Sequence, residues 1–250
     1  MMTTTSTPPA SSPSGRKTAP IQGAWWKFVL VGALMCYVIY GAFFIAGGAV
    51  GFGHSGDPAR IVFFHVPVAV LSYVCYAVGA VYGVLFLRRG KPLDDVKSAS
   101  SLELGFVFCI LATITGSIFA GVQWGQYWNW DPRETSIAIM LLLYASYLVL
   151  RSALADNVAH RGRLSAVYVL VALVPATFLI WVVPRIPYVQ SLHPQNVIAN
   201  PSNTSPSYKA VLFPSFLAFT MLYVWLLQVR VRFIQLSERR ASRRAEQRGQ

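Results

Sequence analysis

Trp124-Gly125-Gln126-Tyr127-Trp128-Asn129-Trp130-Asp131-Pro132-Arg133-Glu134-Thr135 separates two long apolar segments of the chain. Three of the seven tryptophans fall within its first seven residues, among glycine, amides and charges and without one Leu, Ile, Val or Ala. Such a window cannot cross hydrocarbon, and it is too aromatic for an ordinary solvated loop. It reads as an aromatic surface at a membrane boundary, which assigns the apolar runs on either side to the bilayer. Two explanations compete for the indoles. Trp and Tyr collect at headgroup depth in any membrane protein. Such a belt is scattered over many helix ends, however, whereas Trp124, Tyr127, Trp128 and Asp131 recur at the i, i+3, i+4, i+7 spacing of one helical face. That spacing predicts a flat π platform for a planar ligand.

Composition agrees with a membrane setting. The 250 residues are 55% hydrophobic and 12% charged, where soluble chains carry about a quarter charged residues. A net charge of +12 raises the question of nucleic acid. The basic residues lie beside apolar runs and in the C-terminal tail, where anionic lipid acts on them, so nucleic acid is excluded as a partner. Cys36, Cys75 and Cys109 each sit inside an apolar run, without a Cys-x-x-Cys pair. They read as small buried hydrophobes, not as ligands or disulfides. Residues 1–24 are rich in Ser, Thr and Pro and are expected to be disordered. The apolar run that follows is too long, and lacks the small-residue cleavage site, for a signal peptide.

Working outward from the window gives six apolar spans, at about 25–50, 58–87, 102–122, 135–150, 164–183 and 210–229, the first of them long enough for ~30 Å of hydrocarbon. Asp57-Pro58 and Asp131-Pro132-x-Glu134 read as an N-cap followed by proline at the first helical position. Ser100 and Glu103 have the spacing of a capping box that would open span three. Pro175 is expected to kink span five. The fold class is therefore all-α: a polytopic membrane domain over residues 25–235, preceded by the segment 1–24 and followed by a basic tail, 236–250. Of 21 Lys and Arg, 17 fall with the two termini and only Arg60, Arg133, Arg185 and Lys209 fall on the other side. By the positive-inside rule both termini are cytoplasmic and the Trp-rich window is outside.

The string WGQYWNWDPRETS resembles the tryptophan-rich WWD signature of the haem-handling membrane proteins of cytochrome c maturation. RIVFFHVPVA at 60–69 and SLHP at 191–194 are similar to the histidine-bearing segments that flank that signature in the haem exporter protein C (CcmC) family. The likeness covers roughly residues 25 to 235. It implies a component of the cytoplasmic (inner) membrane that binds haem on its periplasmic side. The cargo would be haem b, held transiently and non-covalently. The implied partners are a periplasmic haem chaperone, the ATP-binding-cassette subunits that drive release, and membrane lipid. The Tyr127, Pro132 and Glu134 variant of the signature also looks like that of the cytochrome c synthases, which form thioether bonds. Those are larger and carry further histidines within their spans, so the exporter reading, which is not enzymatic, is the main expectation.

The candidate residues follow. His65 lies one to two turns into span two and His193 in the connection after span five, both near the outer boundary. Alone, each is more simply a hydrogen-bonded structural histidine. As a pair from opposite outer segments, two neutral imidazoles fit the two axial positions of a haem iron. Trp124, Tyr127, Trp128, Trp130 and Asp131 would form the platform, although capping alone explains Asp131 and Glu134. Arg133, with Arg60 and Arg185, is a candidate for haem propionates, since guanidinium matches carboxylate bidentately; lipid phosphate is the plainer partner. His54 and His160 read as solvated. No nucleophile motif, phosphate-binding loop or zinc spacing accompanies these residues.

Overall fold

The structure is a computed structural model that describes residues 25–46, 58–186, 189–193 and 205–248. Helix α1 (Trp25–Tyr40) continues as a π-helical turn, Gly41–Ile45, and a 3-10 turn, Pro58–Ile61, leads into α2 (Val62–Arg89). Then come α3 (Pro92–Trp124), α4 (Pro132–Ala153) and α5 (Val158–Thr177), the last continued by a π turn, Phe178–Val182, and a 3-10 turn, Val183–Arg185. Helix α6 (Pro206–Arg248) closes the chain. Six helices are long and apolar enough to cross a membrane, and no strand occurs among the described residues. The protein is an all-α polytopic membrane protein. His54, Asp57 and Pro194 lie outside the described residues.

Two of the expected helix starts fare differently. Asp131 caps α4: its carboxylate accepts from Arg133 N at 2.8 Å, and Glu134 reaches back to Asp131 N, completing the capping box. Ser100 caps nothing. Helix α3 begins eight residues earlier, at Pro92, whose ring needs no amide partner at the first position, with Asp94 and Asp95 in the first turn where the helix dipole favours them. Glu103 instead pairs with Arg230 of α6 at 2.8 Å. The division at residue 235 is a change of composition along a single helix, because α6 runs unbroken from Pro206 to Arg248.

Helix α2 lies at the centre. Tyr76 and Ala80 pack with α3, α4 and α5 around Leu102, Tyr144 and Val169. Phe63 packs with α1 and α6 around Val38 and Val211, and Leu71 with α3 and α6 around Phe108 and Phe219. The surface is apolar in its turn, as lipid requires: Phe43, Ile114, Val171 and Phe213 are all exposed.

Prolines inside spans explain how these helices are fastened. Pro67 has no amide hydrogen for Phe63 O four residues back, and Phe63 is buried, so that carbonyl needs a partner within the protein. The buried Ser215 hydroxyl of α6 donates to it. Pro214 leaves Ala210 O free in the same way, and Tyr37 of α1 donates to that carbonyl at 3.1 Å. A defect in one helix thus becomes a bond to its neighbour. Ser215→Ala is expected to lower stability by about 1–2 kcal/mol, read from unfolding in mixed detergent. Ser215→Thr, which keeps the donor, should lose less.

The alternating helices sort the chain's chemistry to two ends. One end holds His65, the last turn of α3, the Trp-rich loop and His193. The other holds the turn after Arg89, the pairing of Arg151 with both oxygens of Asp95 at 2.8 and 3.0 Å, and the Glu103–Arg230 pair.

Candidate functional site

The Trp-rich window is not helical. Helix α3 stops at Trp124 because Gly125 turns left-handed, with φ +79°, and α4 begins only at Pro132. Residues 125–131 form a loop between them. The expected helical face of Trp124, Tyr127, Trp128 and Asp131 is therefore replaced by a folded loop, and its rings do not tile a plane. Trp128 and Trp130 stand at 89° with centroids 5.8 Å apart. Trp124 packs edge-on against Phe119 and, from the other side, against the His193 ring at 5.0 Å and 66°. Tyr127 folds back towards Gly121, yet it remains 70% exposed and Trp130 74%. Trp130 has φ +56°, the one non-glycine residue with positive φ among those described.

Asp131 holds this loop to the segment after α5. Besides capping α4, its carboxylate accepts from Ser191 Oγ at 2.9 Å and Leu192 N at 2.6 Å, and stands 3.1 Å from His193 Nδ1. Burial pushes its pKa up, but the His193, Arg133 and Ser191 hydrogen bonds outweigh that and hold it well below the usual carboxylate range. The sign follows from linkage: the ionised contacts stabilise the loop above the unfolded pKa near ~3.9 and are lost only as pH falls through the depressed folded value. Glu134 steadies the same loop, accepting from Asn129 N at 2.7 Å.

Both histidines are turned the same way by different partners. A carboxylate can only accept, so His193 Nδ1 carries a proton and Nε2 is the ring nitrogen not engaged by Asp131. His65 Nδ1 lies 3.0 Å from Thr115 Oγ1, and the Thr115 hydroxyl spends its one proton on Leu111 O at 2.7 Å. With its proton so placed, Thr115 accepts from His65 Nδ1, and the His65 ring also lies within hydrogen-bond reach of the Ala112 backbone. Gly116 gives the His65 ring its space, since a Cβ there would stand 2.9 Å from Cε1. The two imidazoles are within electrostatic range of one another. Thr115 and Gly116 carry no signal in the sequence; a threonine inside an apolar helix is unremarkable until the fold sets it beside His65.

The three arginines are placed unequally. Arg60 donates to Phe43 O at 2.6 Å and Arg185 to Trp181 O at 2.7 Å, each lying over the ring of the same residue. Arg133 is exposed and within electrostatic range of Asp131 and Arg185. His160 bonds Asn157 at the start of α5, far along the sequence from the site. No group of three or more His, Cys, Asp or Glu side chains suited to a metal occurs among the described residues.

A family model described as heme exporter protein C matches residues 11–247. The chain belongs to the haem exporter protein C family. A heme exporter protein C from Bradyrhizobium diazoefficiens is 32% identical over 201 residues, 76% of this chain and 74% of that one. The heme exporter protein C of Escherichia coli (strain K12) is 30% identical over 186 residues, 74% of each chain. A putative cytochrome c biosynthesis ccmC-like mitochondrial protein of Marchantia polymorpha is 27% identical over 173 residues, 67% of this chain and 68% of its own. The family is one of transport components that handle haem in cytochrome c maturation, and the synthase reading of the WWD signature is set aside.

Proposed function

We propose that this protein binds haem b on the periplasmic side of the inner membrane and passes it to a periplasmic haem chaperone, with ATP-binding-cassette subunits assisting release. The carrying observation is the histidine pair: His65 from α2 and His193 from the connection before α6, at the same end of the bundle, each with Nδ1 beside an oxygen, of Thr115 and of Asp131. An oxygen behind Nδ1 favours the tautomer in which Nε2 can ligate, and a carboxylate behind a ligating imidazole raises its basicity. Two protein ligands also match an iron whose other four come from the porphyrin. The iron supplies the two axial bonds. The chain supplies orientation, through Asp131, Ser191 and Trp124 for His193 and through Thr115 and Gly116 for His65.

Exposed Tyr127 and Trp130, with half-buried Trp128 between them, form the rim against which porphyrin and chaperone meet, and Arg133 is the exposed guanidinium placed to meet a propionate. The Lys and Arg distribution supports cytoplasmic termini. The topology is tested with single cysteines in a Cys36→Ser background. Gln126→Cys should react with an impermeant maleimide in intact spheroplasts and Ser242→Cys only after lysis. The reverse pattern would overturn the outward-facing site. An absorption spectrum of the purified chain tests haem itself, a low-spin Soret and α/β pattern being the expected result.

A further inference from the structure

Beyond its last membrane residues, α6 becomes a charge-sorted helix. At about 100° per residue, all seven arginines from Arg230 to Arg248 fall within one half of its circumference, while Glu238 and Glu246 fall in the other with Ala241, Ser242 and Ala245. Phe233 and Leu236 lie among the arginines and are 62% and 49% exposed. With Arg240 and Arg244 they line a shallow groove on the helix. Every residue from 236 to 248 is exposed. Three like-charged pairs at i, i+4, beginning at Arg239, Arg240 and Arg244, oppose this helix in isolation, so a partner that neutralises them would order it.

The occupant follows from reach. Arg230, paired with Glu103, marks the end of the span. Helix α6 has neither Gly nor Pro after Pro214, so it lacks the usual hinge with which to lie down on the membrane. At ~1.5 Å per residue Arg239 stands roughly 13 Å beyond Arg230, and Arg248 roughly 27 Å. A headgroup layer is only ~5–8 Å deep per leaflet, and screening at physiological salt acts over ~8 Å. The distal arginines therefore project past the lipid. We propose that residues 233–248 are a docking helix for an acidic, partly apolar surface of a soluble protein, on the membrane side opposite the histidine site. The inference needs the six spans but not the haem reading.

The test places p-benzoylphenylalanine in the full-length chain in cells, either at Leu236 on the arginine face or at Ser242 on the opposite one. Irradiation should give a protein adduct from Leu236 and not from Ser242, and the cross-linked peptide, read by mass spectrometry, should carry net negative charge. Changing Arg239, Arg240, Arg243 and Arg244 together to Gln should cut the adduct roughly tenfold. Equal yields from the two faces, a yield unchanged in the fourfold variant, no adduct, or a basic cross-linked peptide would each overturn it. Trypsin supplies the lipid arm. The tail of the purified chain should be cleaved alike in phosphatidylcholine and phosphatidylglycerol vesicles, and protection by the anionic vesicles alone would assign the face to lipid instead.

Discussion

His193→Ala and His65→Ala are each expected to abolish the low-spin absorption spectrum of the haem-loaded chain, because either change leaves one axial position without its imidazole. His160→Ala, at the start of α5 beside Asn157, should leave it intact. The finer result concerns Asp131. Asp131→Asn retains a good N-cap for α4, so the helix start survives, but it removes the charge that holds the His193 proton on Nδ1. Losing such a partner behind a metal-ligating histidine costs roughly ten- to a hundredfold in affinity. The variant should therefore insert and start α4 normally, hold Ser191 and Leu192 less firmly, and retain haem that much less well. Thr115→Val, which removes the acceptor for His65 Nδ1, should weaken retention in the same direction and by less, since a hydroxyl is a weaker partner than a carboxylate. A low-spin spectrum that survives His193→Ala would discard the ligand pair. Asp131→Asn with undiminished retention would reduce Asp131 to a cap.

Much of this was legible in the sequence because the bilayer imposes simple rules. Six apolar runs of spanning length became six helices, and Asp131-Pro132-x-Glu134 became the capping box it spells. Local signals failed where a stronger one overrode them. Ser100 and Glu103 have capping spacing, but Pro92 and the acidic first turn behind it had already started α3. The aromatic spacing in the window was helical by count alone, whereas Gly125 at φ +79° had ended the helix before the pattern could be realised. What no local reading could supply is pairing at long range. Ser215 meets the carbonyl freed by Pro67, Tyr37 the one freed by Pro214, and Thr115 meets the His65 ring across fifty residues. Each is an ordinary polar residue whose meaning depends on what the fold sets beside it.

Trp130 offers the sharpest separation of a binding surface from an interfacial belt. The residue is 74% exposed and its backbone is held at φ +56°, a conformation that costs an L-residue about 1–2 kcal/mol. Folding gains little from an exposed ring on a strained residue, so the gain is expected in binding. Two substitutions divide the terms. Both Trp130→Ala and Trp130→Gly remove the indole, whose contact with a porphyrin at ~25 cal/mol per Å² is worth on the order of 1–3 kcal/mol, so both should retain haem roughly ten- to a hundredfold less well. Their stabilities should then part in an unusual direction. Gly is ordinarily the worse residue in regular structure by about 0.5–1 kcal/mol, but at positive φ it avoids the strain that Ala keeps, so Trp130→Gly should be the more stable of the two by about 1 kcal/mol. Trp25→Ala, at the exposed start of α1, should change neither haem retention nor transfer. The comparison is made at equal abundance in the membrane, because a destabilised chain also loses its ligand. If both Trp130 variants retain and transfer haem like the parent, the indole is a belt residue and the strain at Trp130 serves something else.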